Sequence, residues 1–196
     1  MEVLTVPFFA PEDCHKVWFE KVSPSLAYKS GEDFAKWQQK AKAKLTELLG
    51  DQPQPVPLNV RVEWEEDRDF YREIRFLFTA EEGADVPCHL LVPKSGEGPY
   101  PVVICLQGHS TGMHISLGRP KYPGDEESIA GDRDFAVQAV KQGYAALALE
   151  QRCFGERMDQ RPETAKGVTK TRRCFHGSLN ALILGRTMVG ERVWDV

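Results

Sequence analysis

The chain has 196 residues, 41% hydrophobic and 28% charged, enough for one domain with an appendage and a sizeable core, and too apolar for a disordered polymer. A formal net charge of −4 and a pI near 5.8 lack the basic footprint of a nucleic-acid binder. No apolar run approaches the length of a membrane span, and MEVLTVPFFAPEDC lacks the basic and apolar regions of a secretory signal, so neither nucleic acid nor membrane is expected as a partner.

In chain order, EDFAKWQQKAKAKLTELLG sets Phe34, Trp37, Ala41, Leu45 and Leu48 three and four apart. That spacing gives the apolar stripe of a helix, with Ser30 as its cap and Gly50 as its stop. DQPQPVPL then reads as an extended linker. Residues 1–57 are therefore expected to form a helical appendage with its linker, and 58–196 the main domain.

Phe70 to Phe78, FYREIRFLF, is β-rich and partly alternating; EEGAD turns and VPCHLLVP returns, which predicts an antiparallel pair. VVICL, from Val102, is a continuous apolar run of the kind found in strands covered on both faces. DRDFAVQAVKQG has helical spacing at Phe135, Val137, Ala139 and Val140, with Gly143 as its stop, and YAALALE is a second buried strand. Strand, helix, strand across Val102 to Glu150 is a parallel unit, right-handed by default. Between the first strand and the helix lies a polar loop, QGHSTGMH, at the strand's carboxyl end, where open α/β sheets place their ligands.

Gln151 to Arg173 reads as a long loop. Its stretch from Arg152 holds seven Lys or Arg against three acids, a solvated face in the first instance and an anion or substrate contact in the second. SLNALILGRTMVGERVWDV reads as a single helix, with Leu179, Leu182, Ile183, Arg186, Val189 and Val193 near one side. Gly185 and Gly190 cost such a helix stability, and close packing on a sheet would account for them.

The five cysteines, 14, 88, 105, 153 and 174, are odd in number and scattered. Reduced thiols in a cytoplasmic setting are expected rather than a disulfide framework. His109 and His114, with Cys153, Cys174 and His176, would make a zinc site if their loops converged, but no C-x-x-C or H-E-x-x-H spacing supports one. No metal is expected.

The order of a helical lead-in, an antiparallel strand pair, PYPVVICLQGHSTG, a helix, GYAALALEQRCFGER and GRTMVGERVWDV resembles the amino-terminal half of an α/β-hydrolase, of the acetyl-xylan-esterase and dienelactone-hydrolase-like branch. The likeness runs from about Phe34 to the end and rests on element order and local texture. It implies an α/β fold: a partial α/β-hydrolase with an N-terminal helical appendage and an incomplete, mostly parallel sheet. The family's loop after the third strand supplies a backbone N–H to the oxyanion hole, and the matching residues are Gln107, Gly108 and His109. The resemblance makes the His109 amide the donor, with Ser110 its neighbour. Gly108 would give the backbone its sharp turn, and Gln107 stands where the family pattern often has histidine. Gln107, Gly108, Arg152 and Phe154 are the expected substrate contacts, and no cofactor is implied.

The resemblance also predicts a G-x-S-x-G nucleophile elbow followed by an acid and a histidine, and the sequence contains no such motif. HGSLN around Ser178 has one flanking glycine and opens a helix. QRCFG around Cys153 follows a strand, but one strand too early, so Cys153 stands between a minor claim as nucleophile and an ordinary loop thiol. In the family's order the third strand lies between the fourth and the fifth. Without a fifth, VVICL becomes a bare apolar edge, and the residues read as an incomplete fold unit, whether shortened, split or completed by another chain. The expected activity is a carboxylesterase or deacetylase of the serine-hydrolase type acting on a small acyl ester, in a homo-oligomer or with a completing chain. The alternative is a non-catalytic module that pairs through the exposed strand edge.

Overall fold

The computed structural model describes residues 10–158 and 173–196. Most of the basic stretch expected between Arg152 and Arg173 falls outside them. The chain divides into two compact units, residues 1–48 and 49–196.

The first unit holds α1 (Pro11–Lys21) and most of α2 (Phe34–Leu49). The predicted stripe is present in α2, but the cap is not Ser30. The Asp33 carboxylate accepts the Lys36 N–H at 3.1 Å, because an acceptor one residue before the first turn reaches the third N–H. Tyr28, Phe34 and Trp37 stack edge-on and tilted at 5.2–5.9 Å, and the Trp37 indole donates to the Leu26 carbonyl.

Among the described residues the second unit is built on five strands: β1 (Arg61–Asp67), β2 (Tyr71–Glu81), β3 (Ala84–Pro93), β4 (Val102–Cys105) and β5 (Ala145–Leu149), in the order β1-β2-β3-β5-β4. The expected antiparallel pair is β2–β3, joined by a two-residue turn with Gly83 at φ +80°. The expected parallel pair is β4–β5, spanned by α3 (Asp125–Ile129) and α4 (Phe135–Lys141). The sheet is mixed rather than mostly parallel, since β1–β2, β2–β3 and β3–β5 all run antiparallel. Links of two or three residues make β1–β2 and β2–β3 antiparallel, and only the β4-to-β5 connection is long enough for a crossover; β5, parallel to β4, then pairs with β3 in the opposite sense.

Alternation along β5 puts residues on both faces. Ala146 and Ala148 join Leu91, Cys105 and α4's Ala136 and Val140 on one side, and Leu147 and Leu149 join Val86, Cys88 and Trp194 on the other. β4 does not have the double cover its composition suggested. It is an edge strand, with Val102, Val103 and Ile104 58%, 37% and 44% exposed, as the family's strand order implied for VVICL.

The single carboxyl-terminal helix is in fact two, α5 (Arg173–Ile183) and α6 (Met188–Asp195). The break falls at Gly185, φ +73°, and Thr187 restarts the chain by accepting the Gly190 N–H on its hydroxyl at 2.9 Å. Among the described residues no helix is long and apolar enough to cross a membrane.

Candidate functional site

Two loops meet beyond the carboxyl ends of β4 and β5, the position that sheet geometry reserves for ligands. The first runs from Leu106 to Gly112 and the second from Glu150 to Met158. Gln151 Nε2 donates to the Gln107 carbonyl at 2.6 Å, and Gly155 N donates to the Thr111 carbonyl at 3.0 Å. Between these ties stand His109 and Ser110, on the wall of a pocket of about 740 Å³ shared with Tyr122, Cys153 and Phe154. Among the described residues neither the His109 nor the Ser110 amide donates to an acceptor, and the Ser110 hydroxyl is buried without a partner.

Gly108 lies at the expected strand end, but a Cβ there would meet nothing, and its φ is not in the left-handed region. The glycine the geometry requires is Gly155, at φ +43°, where a Cβ would fall on the Glu150 carboxylate.

Sequence reasoning missed Glu150 altogether. Only 1% exposed, its carboxylate accepts Gln107 Nε2–H and Met113 N–H on Oε1, each at 2.9 Å, and Glu156 N–H on Oε2 at 3.3 Å. Burial pushes the carboxyl up to about 7, against the help of the Met113 and Glu156 amides. The sole hint in the sequence was an acid placed directly after a buried strand.

His114, once a candidate partner of His109, faces elsewhere. Its Nε2 lies 2.8 Å from Asp125 Oδ2 and 3.0 Å from the Thr111 hydroxyl. Burial works against the Asp125 charge. The Thr111 hydroxyl, the Lys121 and Tyr122 amides and His114 outweigh it and hold Asp125 at about 2. The pair fastens the far end of the first loop. His109 instead sets its ring edge-on to Phe154 at 5.4 Å, and Phe154 lies under the Arg192 guanidinium at 4.3 Å.

Arg152 does not line the pocket of His109 and Ser110; its guanidinium is taken by Glu81, Glu191 and Asp195. Cys153 does line it, at φ +68°, but burial raises its thiol, and the neighbouring Cys174 adds to the rise, the opposite of what a thiolate nucleophile requires. Ser178 lies within α5. Among the described residues no serine hydroxyl or cysteine thiol is hydrogen-bonded to a histidine ring, and no three His, Cys, Asp or Glu side chains converge as metal ligands.

A second cavity, about 350 Å³, shares Met113, His114 and Glu150 with this region and is lined by Arg75, His89 and Arg119. Two of those residues, His89 and Arg119, bind Glu73, which is fully buried and does not itself line the cavity. Burial disfavours its charge, yet hydrogen bonds from His89, Arg119 and Arg68 hold it well below the usual carboxylate range.

Glu150 and Asp125 give opposite pH signatures. The folded-state value of Glu150, about 7, stands above the ordinary 4.5, so its contribution to stability is complete below that ordinary value and is lost as pH rises through the folded one. Asp125 is depressed from 3.8 to about 2, so its contribution is lost as pH falls through that value. Urea unfolding across the neutral range is expected to show stability declining with rising pH, and Glu150→Gln to flatten that slope. A slope unchanged by the substitution would assign it to other groups.

A family model described as the abhydrolase family matches residues 13–178. Among solved structures, a Bacteroides fragilis protein described as a candidate acetyl xylan esterase aligns with TM-score 0.76 at 21% identity, over 96% of this chain and 48% of its own. Acetyl xylan esterase 1 of a Thermoanaerobacterium species aligns with TM-score 0.42 at 20% identity, over 78% of this chain and 47% of its own. The acetyl xylan esterase of a Paenibacillus species gives 0.39 at 17%, over 89% of this chain and 54% of its own. The chain thus spans about half the length of these structures, and at such identities the likeness is one of fold. No curated protein matches.

Proposed function

The chain belongs to the abhydrolase family, and from that premise we propose that it carries the oxyanion-binding part of a carboxylesterase or deacetylase of the serine-hydrolase type, acting on small acyl esters. The observation that carries this reading is the pair of main-chain N–H groups at His109 and Ser110. They sit at the end of β4, have no acceptor among the described residues, and border a pocket large enough for a small ester. Donors fixed in place before charge develops stabilise a tetrahedral intermediate without reorganisation.

In the proposed reaction a serine from outside the described residues attacks the ester carbonyl and passes its proton to a histidine. The carbonyl oxygen takes up the negative charge against the His109 amide, with Ser110 beside it. The C–O bond to the alcohol then breaks, the alcohol leaves with that proton, and water hydrolyses the acyl-serine. Phe154, held between His109 and Arg192, forms the apolar wall for the acyl group. Gln107 and Gly108, expected as substrate contacts, do not line the pocket; Gln107 is buried against Glu150, so it acts through the loop, and Arg152 acts at a distance by fixing the loop that carries Phe154.

The test is turnover of a small chromogenic acetate ester, with a serine-directed phosphonate and a thiol alkylator as controls. Saturable turnover blocked by the phosphonate is expected of the assembled enzyme. His109→Pro, which deletes one N–H, should lower kcat about 10²–10³-fold with little change in KM. Turnover lost only on alkylation would move the nucleophile to Cys153, and an unchanged kcat in the proline variant would remove His109 from the hole.

A second reading rests on the exposed β4 edge: a non-catalytic module that adds a strand from another chain there. A defined hetero-complex without ester turnover would favour it. A stable monomer that hydrolyses nothing would count against both.

A further inference from the structure

Three N–H donors converge on the Glu150 carboxylate from two loops, and the Gln107 contact bridges 43 residues of sequence. Among the described residues no cation pairs with that carboxylate, which takes only N–H donors. Of the charged groups packed around it, Lys121 favours the ionised form and Glu156 opposes it. Arg157 is spent on the Glu150 main-chain carbonyl, and Arg75 on Glu156 and Glu63. His114 lies behind Gly112, while His89 from β3 and Arg119 from the loop after Leu117 line the same cavity and are bound to Glu73. At the other end of the contact, Gln107 is only 4% exposed and its Oε1 is buried with no partner among the described residues. A buried amide that uses its nitrogen and strands its oxygen, set against a carboxyl that can gain a proton, has two hydrogen-bonded arrangements.

We propose that Gln107 and Glu150 form a proton-operated latch that sets the backbone of the loop carrying His109 and Ser110. With Glu150 ionised, Oε1 accepts both Met113 N–H and Gln107 Nε2–H, and the loop is held at its two ends. When Oε1 takes a proton from solvent it becomes a donor. The Gln107 amide then turns over so that its own Oε1 accepts the new O–H, and Met113 N–H is left facing a hydroxyl oxygen instead of a carboxylate. Both are positioning residues, acting through the segment they bracket. The latch rests on the esterase reading for its consequence, not for its existence.

The experiment follows the Glu150 carboxyl carbon by NMR, assigned through its own Cγ protons, together with the Met113 amide and the Gln107 side-chain amide across the neutral range. All three signals are expected to move with one midpoint, about 7, and the protection of Met113 N–H against exchange to fall about tenfold as the carboxyl is protonated. In Glu150→Gln the Met113 and Gln107 signals should stop titrating. A Glu150 midpoint in the ordinary carboxylate range overturns the latch, as does a Gln107 amide that stays still while Glu150 titrates. If the variant does not fold, the wild-type titration decides alone. Ester turnover is scored separately: a coupled midpoint in a protein that never turns over ester keeps the latch and sinks the esterase reading, and turnover without a coupled midpoint does the reverse.

Discussion

Gly190→Ala is expected to destabilise the second unit by about 3 kcal/mol, although alanine is the better helix former by about 1 kcal/mol. The reason is a main-chain clash. A Cβ at Gly190 would fall on the Leu49 carbonyl oxygen and lie 3.1 Å from both the Leu49 carbonyl carbon and Thr187 Oγ1. No rotamer relieves it, since neither Cβ nor a carbonyl oxygen has a torsion to turn. The same carbonyl accepts the Thr187 hydroxyl at 2.7 Å, and that hydroxyl in turn caps α6 through Gly190 N. Pushing α6 away therefore breaks its cap as well as its packing. Chemical unfolding should show a lower midpoint at unchanged m. A change under 1 kcal/mol would mean that α6 slides without loss, and the close approach would carry no weight.

Gly190 also marks where sequence reasoning stops. A glycine inside a helical pattern signals close approach, but not to what: the neighbour is the Leu49 carbonyl, 141 positions away, rather than a sheet face. The helix break beside it was more legible. Thr187 three residues before Gly190, with Glu191 next and Gly185 just upstream, is a stop followed by a start; the apolar spacing that runs through the break concealed it. β2, β3 and β5 could be read because each buries a face and so shows it in composition. β1 could not: RVEWEED is a charged edge strand with little to bury. The His109–Ser110 loop was visible as small polar residues after an apolar strand. The residue that fixes it, Glu150, was not, because its partners lie 43 and 37 residues back and no local pattern encodes such distances.

Arg152→Ala is expected to cost about 3–5 kcal/mol, the range for removing one partner of a buried ion cluster and leaving the others uncompensated. Its Nε and Nη2 fork onto the two oxygens of Asp195 at 2.8 Å each, Nη2 also reaches Glu81 at 2.6 Å, and Nη1 lies 3.3 Å from Glu191. The Asp195 side chain is 1% exposed, so without Arg152 its charge is left, among the described residues, to Arg157. Glu81 and Glu191 fall back on Arg186. Lysine would be a poor substitute, because one ammonium cannot reproduce the fork. The cluster joins α6 to the loop that carries Phe154 and Glu150, so the loss should propagate to the pocket. It should also be less than additive with Gly190→Ala, since each change frees the same helix. The outcome separates two roles for this arginine. A substrate contact would raise KM and leave the unfolding midpoint in place. A strut would lower the midpoint, and Asp195→Asn in the Arg152→Ala background would recover part of the loss by removing the stranded charge.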